Sequence, residues 1–162
     1  LFNHLAPRSE LVEALNYTSV ALKQLNLRSL FMALTLVRVK GRRLECSVAG
    51  MPPILIFRAE TGKVEEIPLR GLPLGGVANS GYRQTETILA TGDVVLMQSD
   101  GLPERFDGQN EMFGYEQVND FLKQNSQLPL EELLARLVSL SDDWAGGLPP
   151  ADDMTFVALR AI

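Results

Sequence analysis

A continuous apolar run from Val94 to Met97 is the feature that most limits how this chain can fold. Gly92-Asp93 precedes the run and Ser99-Asp100-Gly101 follows it, and both segments are typical of turns. A short apolar run between turn residues predicts a fully buried β-strand. Such a strand would carry Asp100 from a rigid core to the surface.

Asp100 and Gly101 form either a simple turn or the edge of a binding site. Because glycine has no Cβ, the chain at Gly101 can take a positive φ or let another group approach closely, so that the Asp100 carboxylate could lie against a ligand. Turn chemistry, however, explains an Asp-Gly pair without any function.

A second acidic pair, Asp152-Asp153, lies where a loop rich in glycine and proline enters the last predicted strand. A sheet that pairs this strand with the buried one would bring the pair close to Asp100. Carboxylate oxygens are the ligands that hard cations such as Mg²⁺ and Mn²⁺ prefer. The alternative interpretation is a solvated turn in which one aspartate caps nearby backbone N–H groups.

Composition excludes several other classes of site. The single cysteine, Cys46, excludes an internal disulfide and a cysteine-based zinc site, and its alternating context predicts a buried thiol that fits a reducing compartment. His4 is the only histidine, so we interpret it as a helix-surface residue rather than a metal ligand, and no Ser-His-Asp or Cys-His nucleophile is available.

Charge and hydropathy also limit the partners. The net charge is −5 and no Lys/Arg run exceeds Arg42-Arg43, which argues against nucleic acid. No apolar stretch reaches the ~18 to 20 residues of a membrane span. The length of 162 residues predicts a single domain over residues 1–162, and the opening residues read like a helix already under way, which suggests an N-terminally incomplete domain.

The apolar pattern predicts three helices and seven strands. A helix with Ser9 as its N-cap extends to about Leu25, and a hairpin joins Leu30–Lys40 to Leu44–Val48. The remaining predicted strands are 54–58, 64–67, 84–89, 94–97 and 154–159, and the remaining helices are 115–123 and 129–144. Residues 69–82, rich in glycine, predict a long loop.

This order predicts an α/β (α+β) fold, a layered β-sandwich of mostly antiparallel strands flanked by helices. The last helix has an apolar face that the spacing assigns to the core. Trp144 on this helix is interpreted in the same way, with a homodimer contact as the alternative. The predicted face consists of Leu133, Leu134, Leu137, Val138 and Leu140.

Several segments, in order, resemble the PPM-type (type 2C) metal-dependent serine/threonine protein phosphatases, in particular the bacterial SpoIIE-like branch. GDVVLMQSDGLPE, from Gly92 to Glu104, resembles the family's GD-x-hydrophobic run-[TS]DG-x-x-E motif. ADDMTFVALR, from Ala151, resembles its closing DD-[IM]-T strand. Further matches are FMAL at 31–34, SVAGMPP at 47–53, LPLG at 72–75 and EMFG at 111–114.

The resemblance implies a phosphatase 2C-like fold with two Mn²⁺ or Mg²⁺ ions at one end. By matching position, Asp100, with Gly101 beside it, and Asp152 would belong to the metal site, and Asp153 would ligate or orient. No catalytic residue is implied beyond a metal-bound water, which would attack a phosphoserine or phosphothreonine. Residues that bind the substrate are not identified.

The resemblance also implies a cytoplasmic signalling enzyme. Its expected partners are a phosphorylated regulatory protein, such as an anti-sigma-factor antagonist, and a sensor or receiver domain upstream in the full chain. Neither nucleic acid nor membrane insertion is expected.

Two departures from the family pattern favour an alternative function. Nothing in residues 1–8 matches the family's D-x-[SG]-G-H-G motif, which supplies another metal ligand, so the activity of this fragment is in question. Met51 stands where the family commonly has histidine in A-G-H-P-P. The alternative is a non-catalytic phosphatase-like module that binds a partner or transmits a signal. A third interpretation is a plain structural sandwich whose acidic turns bind nothing.

Overall fold

A computed structural model of the chain describes residues 10–25, 30–77 and 80–162. These residues form three helices and seven strands, as predicted. The helices are α1 (Leu11–Gln24), α2 (Tyr115–Asn125) and α3 (Leu130–Ala145). The strands are β1 (Leu34–Lys40), β2 (Arg43–Ala49), β3 (Leu55–Arg58), β4 (Lys63–Glu66), β5 (Gln84–Ile88), β6 (Val94–Gln98) and β7 (Phe156–Arg160). The chain groups into two compact units.

The first unit contains the described residues within 1–53 and 68–89. Its sheet has the order β1-β2-β5, with both pairs antiparallel. Gly41 makes the β1–β2 turn with a φ of 57°, which glycine adopts without a steric cost. Helix α1 packs through Leu15 into a small cluster with Ala49, Leu74 and Tyr82.

The middle strand of this sheet holds the only cysteine. Cys46 is fully buried in β2, which confirms the predicted buried thiol. Burial raises the pKa of the Cys46 thiol to about 11. A thiol in this state is a poor nucleophile, because the thiolate is the reactive form.

The second unit contains residues 54–67 and 90–162. Its four strands have the order β4-β3-β6-β7, with every pair antiparallel, and helices α2 and α3 follow β6 in the chain. Strand β6 lies inside the sheet, as its apolar run predicts, and Val94 and Leu96 join the core from one of its faces. Helices α2 and α3 complete this core with Val118, Phe121, Leu122, Leu133 and Leu137.

A buried ionic contact fixes the start of β6. The Asp93 carboxylate, 1% exposed, accepts hydrogen bonds from the backbone N–H groups of Ala59 and Ala90 at 2.9 and 3.0 Å. Arg58 donates to it at 2.9 Å. Burial acts to raise the pKa of Asp93, but these donors outweigh it and hold the pKa below its ordinary value.

The structure corrects the expected start of the first strand. Strand β1 begins at Leu34 rather than Leu30, because the preceding segment leaves the sheet and Met32 pairs with Leu74 in an isolated bridge. The FMAL segment therefore lies mostly before the strand. At the first helix, the predicted N-cap Ser9 and the single histidine, His4, lie outside the described residues, and Glu10 occupies the cap position.

The last helix differs from its prediction at one residue. Leu133 and Leu137 are fully buried as predicted, but Leu140 is exposed, and Ser141 takes the inward position one residue later. Trp144 packs against Phe113 within the same unit, edge to face, with ring centroids 5.8 Å apart. This contact favours the core interpretation of Trp144 over the dimer contact.

Candidate metal centre

The two acidic corners lie at the same edge of the second sheet. Strand β6 ends at Gln98 just before Asp100, and β7 begins at Phe156 just after Asp153. Gln98 pairs with Phe156 in the antiparallel register. An antiparallel pair places the end of one strand beside the start of the other, so the turn at Asp100 meets the loop that carries Asp152 and Asp153.

Ser99 fastens these corners together with three hydrogen bonds. Its backbone N–H donates to the carbonyl oxygen of Thr155 at 3.0 Å. Its hydroxyl donates to the carbonyl oxygen of Asp153 at 3.0 Å and accepts from the N–H of Thr155 at 2.9 Å. Ser99, which precedes Asp100, is thus hydrogen-bonded to Asp153, which follows Asp152.

Gly101 brings the two backbones into direct contact. A Cβ atom added to Gly101 would lie 2.5 Å from the carbonyl oxygen of Asp153 and 3.3 Å from that of Asp152. Real Cβ atoms do not approach backbone oxygens at 2.5 Å, so only glycine fits here without a shift. The close approach expected of Gly101 is therefore made to the other acidic corner.

The three aspartates present their side chains differently. Asp100, Asp152 and Asp153 are all exposed residues. The Asp152 carboxylate accepts a hydrogen bond from the N–H of Asp153 at 2.7 Å, which is the local cap expected of a turn. This hydrogen bond uses Oδ1 of Asp152, and Oδ2 takes no part in it.

The donor set suits a hard divalent cation only in part. The backbone carbonyl oxygens of Asp152 and Asp153 lie against Gly101, and carboxylates and carbonyl oxygens are the ligands that Mg²⁺ and Mn²⁺ take. Among the residues that the structure describes, however, no group of three His, Cys, Asp or Glu side chains is placed to hold a metal ion. A complete site would need further ligands.

Tyr115 and Glu104 are neighbours of Asp100 to which sequence reasoning assigned no role. The N–H of Glu104 donates to the carbonyl oxygen of Asp100 at 2.9 Å. Burial raises the pKa of Tyr115, at the start of α2, and the charges of Glu104 and Asp100 raise it further. Glu104 matches the final glutamate of the family motif, so the motif could have indicated its place beside Asp100. No local sequence pattern indicates that Tyr115 lies there.

Three of the other segments that match the family, 31–34, 47–53 and 72–75, belong to the first unit, whereas 111–114 lies in the second. Met51 is half-buried in the segment that follows β2, and Gly71 and Leu74 lie in the glycine-rich loop. Gly71 approaches β2 so closely that an added Cβ would lie 2.3 Å from the carbonyl oxygen of Val48.

No described helix is both long enough and apolar enough to cross a membrane.

Comparison with known proteins identifies relatives of the chain. Residues 1–162 match the family described as stage II sporulation protein E (SpoIIE). No curated protein matches by sequence. Among solved structures, the SiaA-PP2C domain of Pseudomonas aeruginosa superimposes with a TM-score of 0.78 at 24% identity, covering 90% of this chain and 58% of that one.

Two further structures share the fold. The RsbU and RsbW domains of Rv1364c from Mycobacterium tuberculosis match with a TM-score of 0.78 at 21% identity, covering 98% of this chain and 44% of that one. The SpoIIE phosphatase domain of Bacillus subtilis, presoaked with Mn, matches with a TM-score of 0.62 at 20% identity, covering 93% of this chain and 71% of that one. The chain thus spans 58% and 44% of the first two structures. These matches confirm the predicted PP2C-like fold of helices and antiparallel sheets.

Proposed function

This chain belongs to the SpoIIE family of PPM-type, PP2C-like phosphatase domains, and we propose that it hydrolyses phosphoserine or phosphothreonine on a bacterial regulatory protein. The observation that carries the proposal is the joining of the two acidic corners through Ser99 and Gly101. This contact joins residues that are far apart in the chain at one edge of the sheet.

In the proposed function, Asp100 and Asp152 hold divalent cations, and Asp153 ligates or orients. Two Mn²⁺ or Mg²⁺ ions bound there would supply an activated water and neutralise charge on the phosphoryl group. The protein's own part is to hold the carboxylates in place before the cations arrive. Ser99, directly before Asp100, does so through its hydrogen bonds to the carbonyl oxygen of Asp153 and the N–H of Thr155.

The environment of the corner fits a protein substrate. Asp100, Asp152 and Asp153 are exposed rather than enclosed in a deep cavity, so a phosphorylated side chain on another protein could reach them. We propose a phosphorylated anti-sigma-factor antagonist or a similar regulator as the substrate class. We also propose that an upstream sensor or receiver domain controls the activity in the cytoplasm, where Cys46 stays a reduced thiol.

The alternative function is a phosphatase-like module that binds a phosphoprotein without hydrolysing it. Met51 favours this alternative, because a thioether replaces the polar histidine common in the family at that position. No group of three acidic side chains among the described residues is placed to hold a metal ion, which points the same way.

Phosphate release from a phosphoserine-containing regulatory protein separates the two functions. The full-length protein should release phosphate with Mn²⁺ and stop when the metal is chelated. Binding of the phosphoprotein without any release, at every Mn²⁺ concentration, would instead support the non-catalytic module. Met51→His serves as the matched variant, since it should raise turnover if the missing imidazole limits activity.

A further inference from the structure

Arg105 is a buried arginine that follows the Asp100 turn. The residue is 4% exposed. Its backbone N–H donates to the carbonyl oxygen of Leu102 at 3.1 Å, and its carbonyl oxygen accepts from Phe113 at 2.8 Å. The backbone of Arg105 is therefore part of the folded loop that continues from Asp100 and Gly101.

The Arg105 side chain reaches away from this loop to α3 and the segment after it. Nη1 donates to Ser141 Oγ at 2.8 Å and to Asp142 Oδ1 at 2.7 Å. Nη2 donates to the carbonyl oxygen of Leu148 at 2.9 Å. One planar guanidinium thus binds the last turns of α3 and the chain that leads to Asp152.

The contacts of Arg105 enclose the acidic pair from both sides. On one side, Arg105 binds Leu148, which precedes Asp152 in the chain. On the other side, the Ser141 hydroxyl bound by Arg105 donates to the sulfur of Met154, the residue after Asp153, at 3.7 Å. Residues 149–153 between these two points are all exposed. Burial of their own side chains therefore does little to fix this stretch, which is held by the hydrogen bond from Ser99 to Asp153 and by the attachments that flank it.

A buried arginine is not explained by stability alone. Its ion-pair partner Asp142 is 59% exposed, so the pair contributes little net free energy, and the geometry that the guanidinium imposes is the better explanation of its burial. Arginine suits such a role because its fork of donors is rigid and planar. An apolar side chain at this position could not hold the Leu148 carbonyl and the Ser141 hydroxyl at once.

We propose that Arg105 is a positioning residue that fixes the Asp152-Asp153 segment against the Asp100 turn. Its effect on metal binding rests on the proposed function, whereas its effect on the segment does not. Loosening the segment would let Asp152 and Asp153 move relative to Asp100. Residues that orient metal ligands in this way change metal affinity by about 10-fold to 100-fold when they are mutated.

The test compares Arg105→Lys with Arg136→Lys in the full-length protein. Lysine keeps the positive charge but loses the planar fork of donors. Arg136 is a suitable control because it pairs with Glu132 on the surface of α3. Amide hydrogen exchange of peptides covering 146–154 and Mn²⁺ affinity are measured under conditions where all variants are folded. We expect Arg105→Lys to exchange faster in this segment, with core peptides of β3 unchanged, and to bind Mn²⁺ about 10-fold more weakly.

Each outcome decides the role of Arg105. Exchange at 146–154 equal to that of the wild type and of Arg136→Lys would overturn the proposal. A loosened segment with unchanged Mn²⁺ affinity would overturn the link between this segment and metal binding. If the wild type binds no Mn²⁺, the proposed function fails, while the exchange data still decide whether Arg105 fixes the segment. If Arg105→Lys does not fold, Asp142→Asn weakens the same contact from a side chain that is 59% exposed, and its exchange decides in the same way.

Discussion

Gly101 and Asp153 touch through their backbones so closely that a Cβ atom on Gly101 would lie 2.5 Å from the carbonyl oxygen of Asp153. The contact joins the loop after β6 to the loop before β7. It is the point at which two distant parts of the sequence become one corner of the molecule.

The first prediction concerns Gly101→Ala. The added methyl group must push the two loops apart, so we expect the free energy of unfolding to fall by about 1–3 kcal/mol, as in other overpacked sites. Chemical denaturation measures this loss. The matched control is Gly108→Ala, since nothing lies within 4 Å of an added Cβ there. Equal stability of the two variants would contradict the contact.

A second prediction concerns the hydroxyl that joins the corners. Ser99→Ala removes the bonds to Asp153 and Thr155 and should lower the free energy of unfolding by about 1–2 kcal/mol, since each net hydrogen bond contributes roughly 1 kcal/mol. Ser99→Thr keeps the hydroxyl and should lose less. If alanine and threonine prove equally stable at this position, the hydroxyl has no such role.

A third prediction concerns the pH dependence of stability. The pKa of Asp93 is lowered in the folded state, so its ionised form stabilises the fold above its unfolded pKa, and this contribution is lost as pH falls through the folded pKa. Asp93→Asn should therefore be less stable than the wild type near neutral pH by about 1.5–3 kcal/mol. The difference in free energy of unfolding between Asp93→Asn and the wild type should narrow below about pH 4.

Urea denaturation over a pH series measures this gap. Asp143→Asn, at an exposed position on α3, is the control and should match the wild type at every pH. A gap between Asp93→Asn and the wild type that stays constant into strong acid would argue against ionisation of Asp93 as its cause.

A fourth prediction concerns Cys46. With a pKa of about 11 and no exposed surface, the thiol should react very slowly with a disulfide reagent in native buffer at pH 8 and fully after unfolding in guanidinium chloride. Absorbance of the released thiol follows the reaction. Labelling of the native protein at the rate of free cysteine would show that the thiol is accessible.

The main elements could be predicted from the sequence because their signals are local. The apolar run at Val94–Met97, the hairpin turn at Gly41 and the spacing of Leu133 and Leu137 all arise within a few residues. The acidic corner was also predicted, because its two aspartate segments flank strands that an antiparallel sheet could pair. The family motifs added support for this pairing.

Other features depend on contacts that leave no local pattern. Arg105 finds Ser141 and Leu148 far along the chain, and nothing near Arg105 in the sequence indicates a buried position for an arginine. The late start of β1 has a similar cause, because Met32 pairs with Leu74 in a distant loop instead of extending the hairpin. Tyr115 lies near Asp100 because of the position of α2, which no local sequence pattern indicates.

The most direct measurement of the central claim is calorimetric titration of Mn²⁺ into the full-length protein and its Asp100→Asn and Asp152→Asn variants. Asp120→Asn, exposed on α2, serves as the control. If the joined acidic corner holds the cation, both corner variants should bind Mn²⁺ at least about 10-fold more weakly than the wild type, and Asp120→Asn should bind as the wild type does. Wild-type affinity in Asp100→Asn and Asp152→Asn would contradict the claim.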